Sequence, residues 1–208
     1  MSNRGLHLSH LSQRKTLWVV LAINLALTAG FAVAGVIGDS SSLLANALDN
    51  ASDSMVFMLS LIALSHGLRW KIGAARVSGY LLLLFAAGIL VDALRRFIDG
   101  SAPLGLSIMV MGIIGAVANA LCFWLLHRLR HKDVNLRAAT TFSFNDFASN
   151  GGLFVAGALV LWTGSNWPDL LVGVAVAALA IKGGAEILRD ANEEAAGGNE
   201  ESAGAAND

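Results

Sequence analysis

Three carboxylates lie inside stretches of the chain that are otherwise apolar: Asp49, Asp53 and Asp146. None of them has a Lys or Arg within a few residues along the chain. An ionised carboxylate in an apolar environment is costly unless a counter-charge compensates it. Protons and divalent cations can both do this, and they compete, because a carboxylate must lose its proton before it binds a metal ion. These aspartates therefore predict a site for protons and a divalent metal ion.

The spacing of neighbouring polar residues supports this prediction. The same two intervals, three residues and then four, occur twice along the chain. Residues with this spacing lie on one face of an α-helix. Two helices would each present a narrow stripe of oxygen donors, and facing stripes would bring three carboxylates to one point. The first stripe is Asn46, Asp49 and Asp53, and the second is Ser143, Asp146 and Asn150.

The composition indicates that these helices lie in a membrane. The 208 residues are 55% hydrophobic and 14% charged, with a mean hydropathy of +0.63. Soluble domains carry about 25% charged residues, so much of this apolar surface is expected to face lipid. The net charge of −1 argues against a nucleic-acid partner. A single cysteine, Cys122, excludes a disulfide framework. No nucleophile–base arrangement or cofactor loop is visible, so we expect neither an enzyme nor a permanently bound cofactor.

The apolar segments predict the fold class. A helix of roughly 20 apolar residues crosses a bilayer, and six segments of the chain meet this length. We therefore predict an all-α membrane protein, with a six-helix transmembrane bundle over residues 16–189. Residues 1–15 precede it, and residues 190–208 are expected to form an acidic, disordered tail without a folded C-terminal domain. The predicted spans are approximately 16–37, 42–64, 77–98, 104–126, 138–162 and 170–188.

The basic residues are distributed unequally between the two ends of this bundle. All Lys and Arg except Arg95 and Arg96 fall in the N-terminal segment, in the loops 65–76 and 127–137, or near the end of the sixth span. The positive-inside rule then places both termini in the cytoplasm, as an even number of spans allows. At the opposite end, we expect Asp92 to form ion pairs with the two arginines that follow it. We expect a multi-pass protein of the plasma (inner) membrane.

The segments around the aspartates resemble the cation diffusion facilitator family of divalent-metal/proton antiporters. The stretch 42–53, SLLANALDNASD, is similar to that family's second-helix signature, in which a His or Asp is followed four residues later by Asp. Asp49 and Asp53 match those two ligand positions. The stretch 135–146 is similar to the run into the family's fifth helix, and Asp146 matches its second ligand there.

The chain departs from the family pattern at two places. Phe142 stands where the family usually has a fourth ligand, His or Asp, and phenylalanine cannot bind a metal ion in this way. Asn150 or Asn145 can replace that ligand, and helical phase favours Asn150. The family also commonly carries a cytoplasmic metal-binding domain after the sixth helix, which we expect to be absent. The predicted metal-binding residues are thus Asp49, Asp53, Asp146, Asn150 and Asn46.

The resemblance implies export of a divalent metal ion by alternating access, in exchange for protons, by a homodimer in the lipid bilayer. Oxygen donors favour Mn²⁺ or Fe²⁺ over Zn²⁺ or Cd²⁺, whereas the resemblance favours zinc, so zinc, manganese, iron, cobalt and cadmium stay open. One alternative is a non-transporting membrane subunit that assembles with a related transporter around a structural cation site. Another is a proton-coupled transporter of a small organic cation, for which an aromatic content of 7% is low.

Overall fold

Six α-helices account for the backbone that the computed structural model describes, at residues 3–63, 68–127 and 135–204. Side chains are described at residues 14–59, 61, 69–126 and 149–197, and the described backbone contains no strand. These helices confirm the predicted all-α fold class. They are α1 (Asn3–Ile37), α2 (Ser41–Ala63), α3 (Leu68–Asp99), α4 (Gly105–His127), α5 (Asn135–Thr163) and α6 (Trp167–Gly204).

The apolar surfaces of these helices identify a membrane protein. Within the described residues, four helices contain a stretch long and apolar enough to cross a membrane, and α5 contains a shorter apolar stretch. Large apolar side chains such as Leu84 and Phe97 of α3 are mostly exposed in the isolated chain, as expected where lipid replaces water. The four long stretches are Arg14–Ile37, Arg69–Asp99, Gly105–Leu126 and Trp167–Gly197, and the shorter one is Ser149–Thr163.

Helix α2 is absent from that set because aspartates, asparagines and serines interrupt its apolar residues. Protein surrounds it instead of lipid: no residue from 41 to 57 is exposed. One side packs against α1, α4 and α5, and the other against α3 and α6. The first contact uses Leu43 and Ala47 with Leu27, Phe31, Ile108 and Leu153, and the second uses Leu48 with Leu82, Ala86 and Ala180.

The helices extend beyond the apolar spans, because a helix does not have to end at the membrane surface. α1 begins at Asn3, well before the predicted first span, and α6 continues to Gly204. The helical backbone thus runs past the predicted sixth span, and disorder of the acidic tail stays a prediction. Alanine and glutamate, which are strong helix formers, favour this continuation of α6. Arg189 and Glu193, one turn apart on α6, also form an ion pair of 2.9 Å.

Helices α4 and α5 pack closely because glycines lie at their interface. A Cβ on Gly157 would stand 2.7 Å from the carbonyl oxygen of Gly105 and 2.8 Å from the backbone nitrogen of Met109. Gly112 faces the backbone of α5 in the same way, 3.0 Å from the Asn150 carbonyl oxygen. Small residues allow such close backbone approach between helices in a membrane.

We expect Gly157→Ala to lower the thermal unfolding temperature of the detergent-solubilised protein, since the added methyl must push α4 away. Overpacking of this kind costs about 1–3 kcal/mol. Gly151→Ala is the matched control on the same helix, because a Cβ there meets no atom within 4 Å. It should be neutral or slightly stabilising, since alanine favours the helix more than glycine does. Equal effects of the two substitutions would contradict this packing.

The connections α1–α2, α3–α4 and α5–α6 meet at one end of the bundle, which we call the short-loop end (residues 38–40, 100–104 and 164–166). Asp92 forms the predicted ion pairs, at 2.9 Å with Arg95 and 2.5 Å with Arg96. Arg96 also pairs with Asp39 of the α1–α2 connection. Asp39 has a φ of +48° and accepts a 3.1 Å hydrogen bond from the Ala102 nitrogen, which holds the left-handed backbone in place.

A fully buried carboxylate joins α6 to α2 at the same end. Asp169 accepts hydrogen bonds from the hydroxyls of Ser40 and Ser42, both at 2.5 Å. It also accepts from the backbone nitrogens of Ser41 and Ser42, at 2.8 and 3.2 Å. These nitrogens open α2 and have no acceptor within their own helix. Asp169 therefore caps α2 from a neighbouring helix, with its negative charge at the positive end of the α2 dipole.

Candidate metal site

Along its polar face, helix α2 uses its side-chain donors internally. The Asn46 Nδ2 donates to the Ser42 carbonyl oxygen at 3.0 Å. The Asn50 Nδ2 donates to the Asn46 carbonyl oxygen at 2.9 Å, and the Ser54 Oγ donates to that of Asn50 at 2.8 Å. Each bond reaches back one helical turn. These bonds turn one N–H or O–H of each side chain back onto α2, so the side-chain oxygens are available as acceptors.

The two aspartates of this face lie inside the protein. Asp53 is only 7% exposed, and Asp49 is half-buried. Asn46, on the same face and one turn closer to the short-loop end than Asp49, is completely buried. Carboxylates in this position are stabilised by binding a cation or a proton.

A hydrogen bond across the bundle fixes the register of α2 against α5. The Ser149 Oγ of α5 donates to the Asn46 Oδ1 at 3.3 Å. Helices α1 and α2 are antiparallel, since Gly35 contacts Leu44 and Val20 clusters with Phe57. Glycine contacts show the same for α4 with α5 and for α4 with α1, so α2 and α5 also run in opposite directions. Three residues beyond Asn46 along α2 is Asp49, and three residues before Ser149 along α5 is Asp146. The backbone positions of Asp49 and Asp146 therefore lie at the same level.

Several predicted site residues of α5 lie outside the described side chains. This applies to Phe142, Ser143, Asn145 and Asp146, whose backbone belongs to α5. Among the side chains that are described, no three His, Cys, Asp or Glu come close enough to hold a metal ion. Ligation by Asp146 therefore stays a prediction, supported by its register position.

Asn150 lies against α4. It is almost completely buried, and its Oδ1 occupies the space that a Cβ on Gly115 would need. Its neighbour Ser149 donates a hydrogen bond to Asn46 of α2. Ligation by Asn150 stays a prediction, but its amide oxygen packs beside an α4 glycine.

The sequence interpretation missed two polar residues of this region, Ser149 and Asn50. Helical spacing could have identified both residues. Ser149 follows Asp146 by three residues, and Asn50 precedes Asp53 by three. Asn50 is buried, and its Oδ1 has no hydrogen-bond partner among the described residues. The site thus combines carboxylate, amide and hydroxyl oxygens, the donor types preferred by hard divalent cations.

Comparison with known families gives a match over most of the chain. The family profile described as the cation efflux transmembrane domain matches residues 17–194. This range includes α2 and α5 completely and ends within α6.

Individual relatives match over similar ranges. The chain is 28% identical to the zinc transporter ZitB of Yersinia pestis over 196 residues, covering 88% of this chain and 63% of the relative. It is 30% identical to the zinc transporter ZitB of Pectobacterium atrosepticum over 188 residues, covering 81% and 58%. It is 28% identical to the cadmium, cobalt and zinc/H(+)-K(+) antiporter of Bacillus subtilis over 189 residues, covering 82% and 61%. The chain thus spans about 60% of the length of these relatives.

Proposed function

Because the chain belongs to the cation efflux family, the cation diffusion facilitators, we propose that it exports a divalent transition-metal ion across the membrane in exchange for protons. The observation that carries this proposal is the Ser149–Asn46 hydrogen bond, which sets Asp49 and Asp146 at one level of two facing helices. Asp53 follows Asp49 by one turn on the same buried face. The three carboxylates are the proposed ligands.

Ion exchange follows from the chemistry of these ligands. Carboxylates bind a metal ion only after they lose their protons, so metal and protons occupy the same oxygens in turn. Metal entering from the cytoplasm displaces the protons, and protons entering from the other side displace the metal. Either occupant offsets the cost of negative charge in the membrane interior. The termini and basic loops lie on the cytoplasmic side in this proposal, according to the positive-inside rule.

Two observations bear on which metal ion is transported, and they favour different ions. The names of the relatives include zinc, cadmium and cobalt, which supports these ions as substrates. A donor set of oxygens, without imidazole or thiolate, favours harder ions such as Mn²⁺ and Fe²⁺. Zinc accepts carboxylate oxygens as well. We therefore propose zinc as the first ion to test and manganese as the ion that the donor set adds.

Transport by the purified protein in liposomes tests this function. We expect a metal-sensitive dye inside the vesicles to report Zn²⁺ uptake when a pH gradient is imposed, and slower uptake when an ionophore collapses the gradient. Cd²⁺, Co²⁺, Mn²⁺ and Fe²⁺ are compared under the same conditions, with protein-free vesicles as the control. Absence of flux for all five ions, from protein with an intact thermal unfolding transition, would contradict the proposal.

A second candidate is a membrane subunit that binds a cation without transporting it and assembles with a related transporter. Phe142 favours it, because this residue removes one ligand from the pattern of the family. Tight metal binding without flux would support this candidate. Light scattering of the purified protein distinguishes the proposed homodimer from a monomer that lacks its partner.

A further inference from the structure

Asn50 has an amide oxygen that nothing in the described part of the chain uses. Its side chain is 2% exposed, and its Nδ2 donates to the Asn46 carbonyl oxygen at 2.9 Å. This bond uses one N–H of the amide and holds the amide against α2. The Oδ1 is buried and has no hydrogen-bond partner among the described residues. A buried acceptor without a partner is costly and calls for a ligand, an ion or a water molecule.

The position of Asn50 on α2 places it on the metal-binding face. It follows Asn46 by four residues, a rotation of about 40°, and Asn46 contacts α5 through Ser149. It precedes Asp53 by three residues, so their side chains are neighbours on the helix surface. Metal sites in helical bundles use a pair of ligands with this three-residue spacing.

The same register identifies where the family's usual ligand set is incomplete. Phe142 precedes Ser149 by seven residues, and Asp53 follows Asn46 by seven, so the two backbone positions lie at the same level of the antiparallel pair. The position of the family's fourth ligand, which is Phe142 in this chain, therefore lies at the level of Asp53, and Asn50 is one turn from Asp53 on α2. Asn150, the replacement favoured by helical phase alone, packs against Gly115 of α4.

We propose that Asn50 is a metal-binding residue whose Oδ1 coordinates the transported divalent cation beside Asp49 and Asp53, and so replaces the ligand that Phe142 cannot supply. This inference rests on the proposed transport function and extends it to a residue on α2. A neutral oxygen in place of an imidazole shifts the preference of the site towards cations that favour oxygen ligands.

Titration calorimetry of the full purified chain with Zn²⁺ and with Mn²⁺ tests the proposal. We expect Asn50→Leu to raise the Kd at least about tenfold, a typical effect of removing a group that supports a metal site. Asn24→Leu is the matched control. Asn24 is also 2% exposed, also donates its Nδ2 at 2.9 Å to the carbonyl oxygen one turn earlier, and also has a buried Oδ1 with no partner in the described residues, but it lies on α1. It should change the Kd less than twofold.

Asn50→Asp provides a second, independent variant that keeps the oxygen and adds charge. Its Kd should stay within about threefold of the unmodified protein or become tighter, because ligand charge raises cation affinity. Equal effects of Asn50→Leu and Asn24→Leu overturn the proposal. If Asn50→Leu does not fold, weaker binding by Asn50→Asp overturns it. The metal affinity of Asp49→Asn is measured in parallel. Unchanged affinity of Asp49→Asn contradicts the proposed transport site itself. Loss of affinity in Asp49→Asn with unchanged affinity in Asn50→Leu contradicts only this inference.

Discussion

Asp49→Asn is expected to reduce metal transport by about 100-fold or more while the protein still inserts and folds. The substitution keeps the shape of the side chain and removes the charge that we propose holds a divalent cation in the membrane interior. Loss of groups that only support a metal ligand already costs about 10–100-fold in affinity, so loss of the ligand charge should cost at least as much. Asp49 is half-buried on α2, at the level of Asp146 on α5.

Two measurements separate this effect from a general loss of structure. Without metal, Asp49→Asn should unfold at the same temperature as the unmodified protein or higher, because a buried charge has been removed. Added Zn²⁺ should raise the unfolding temperature of the unmodified protein, since a ligand that binds only the folded state stabilises it, but not that of the variant. Asp99→Asn, an exposed carboxylate at the end of α3, is the control and should transport normally. Transport by Asp49→Asn at the normal rate would refute the site.

Asp169→Ala is expected to destabilise the protein by about 3 kcal/mol, because buried donors that lose their acceptor each cost about 1–3 kcal/mol. Two hydroxyls and two backbone nitrogens lose the same carboxylate, although the hydroxyls can rotate towards other acceptors. The nitrogens at the start of α2 cannot do so. The expected result is a lower thermal unfolding temperature and faster hydrogen exchange in the first turn of α2.

The matched comparison for this variant is Asp190→Ala on the same helix, where the carboxylate is exposed. This substitution should leave the unfolding temperature unchanged. Asp169→Asn should fall between the two, because its amide oxygen can accept while its NH₂ group faces other donors. A normal unfolding temperature for Asp169→Ala would show that water replaces the carboxylate, contrary to the burial of this end of α2.

Much of the fold follows from local pattern. The alternation of long apolar segments with short polar connections predicts the helices, because the cost of unpaired backbone groups in lipid leaves few other structures. The three-and-four spacing predicts that Asn46, Asp49 and Asp53 share a face, since this depends only on the geometry of one helix. The ion pairs of Asp92 are local for the same reason, and the structure confirms them. In α6 the helix continues to Gly204, in line with the helix propensity of its alanines and glutamates, and disorder of the acidic tail stays a prediction.

The pairing of faces from different helices is not a local property. Spacing alone assigns Asn150 to the stripe of Asp146, but the close approach of α4 and α5 at Gly115 directs its amide towards α4 and leaves Ser149 to reach Asn46. Capping of α2 by Asp169 and the pairing of Asp39 with Arg96 likewise join residues that are distant in the chain. The burial of Asn50 also depends on how α2 packs against its neighbours. Helical periodicity specifies which side chains point the same way, whereas the rotation and register of each helix depend on how neighbouring surfaces pack, and those contacts exist only in the assembled bundle.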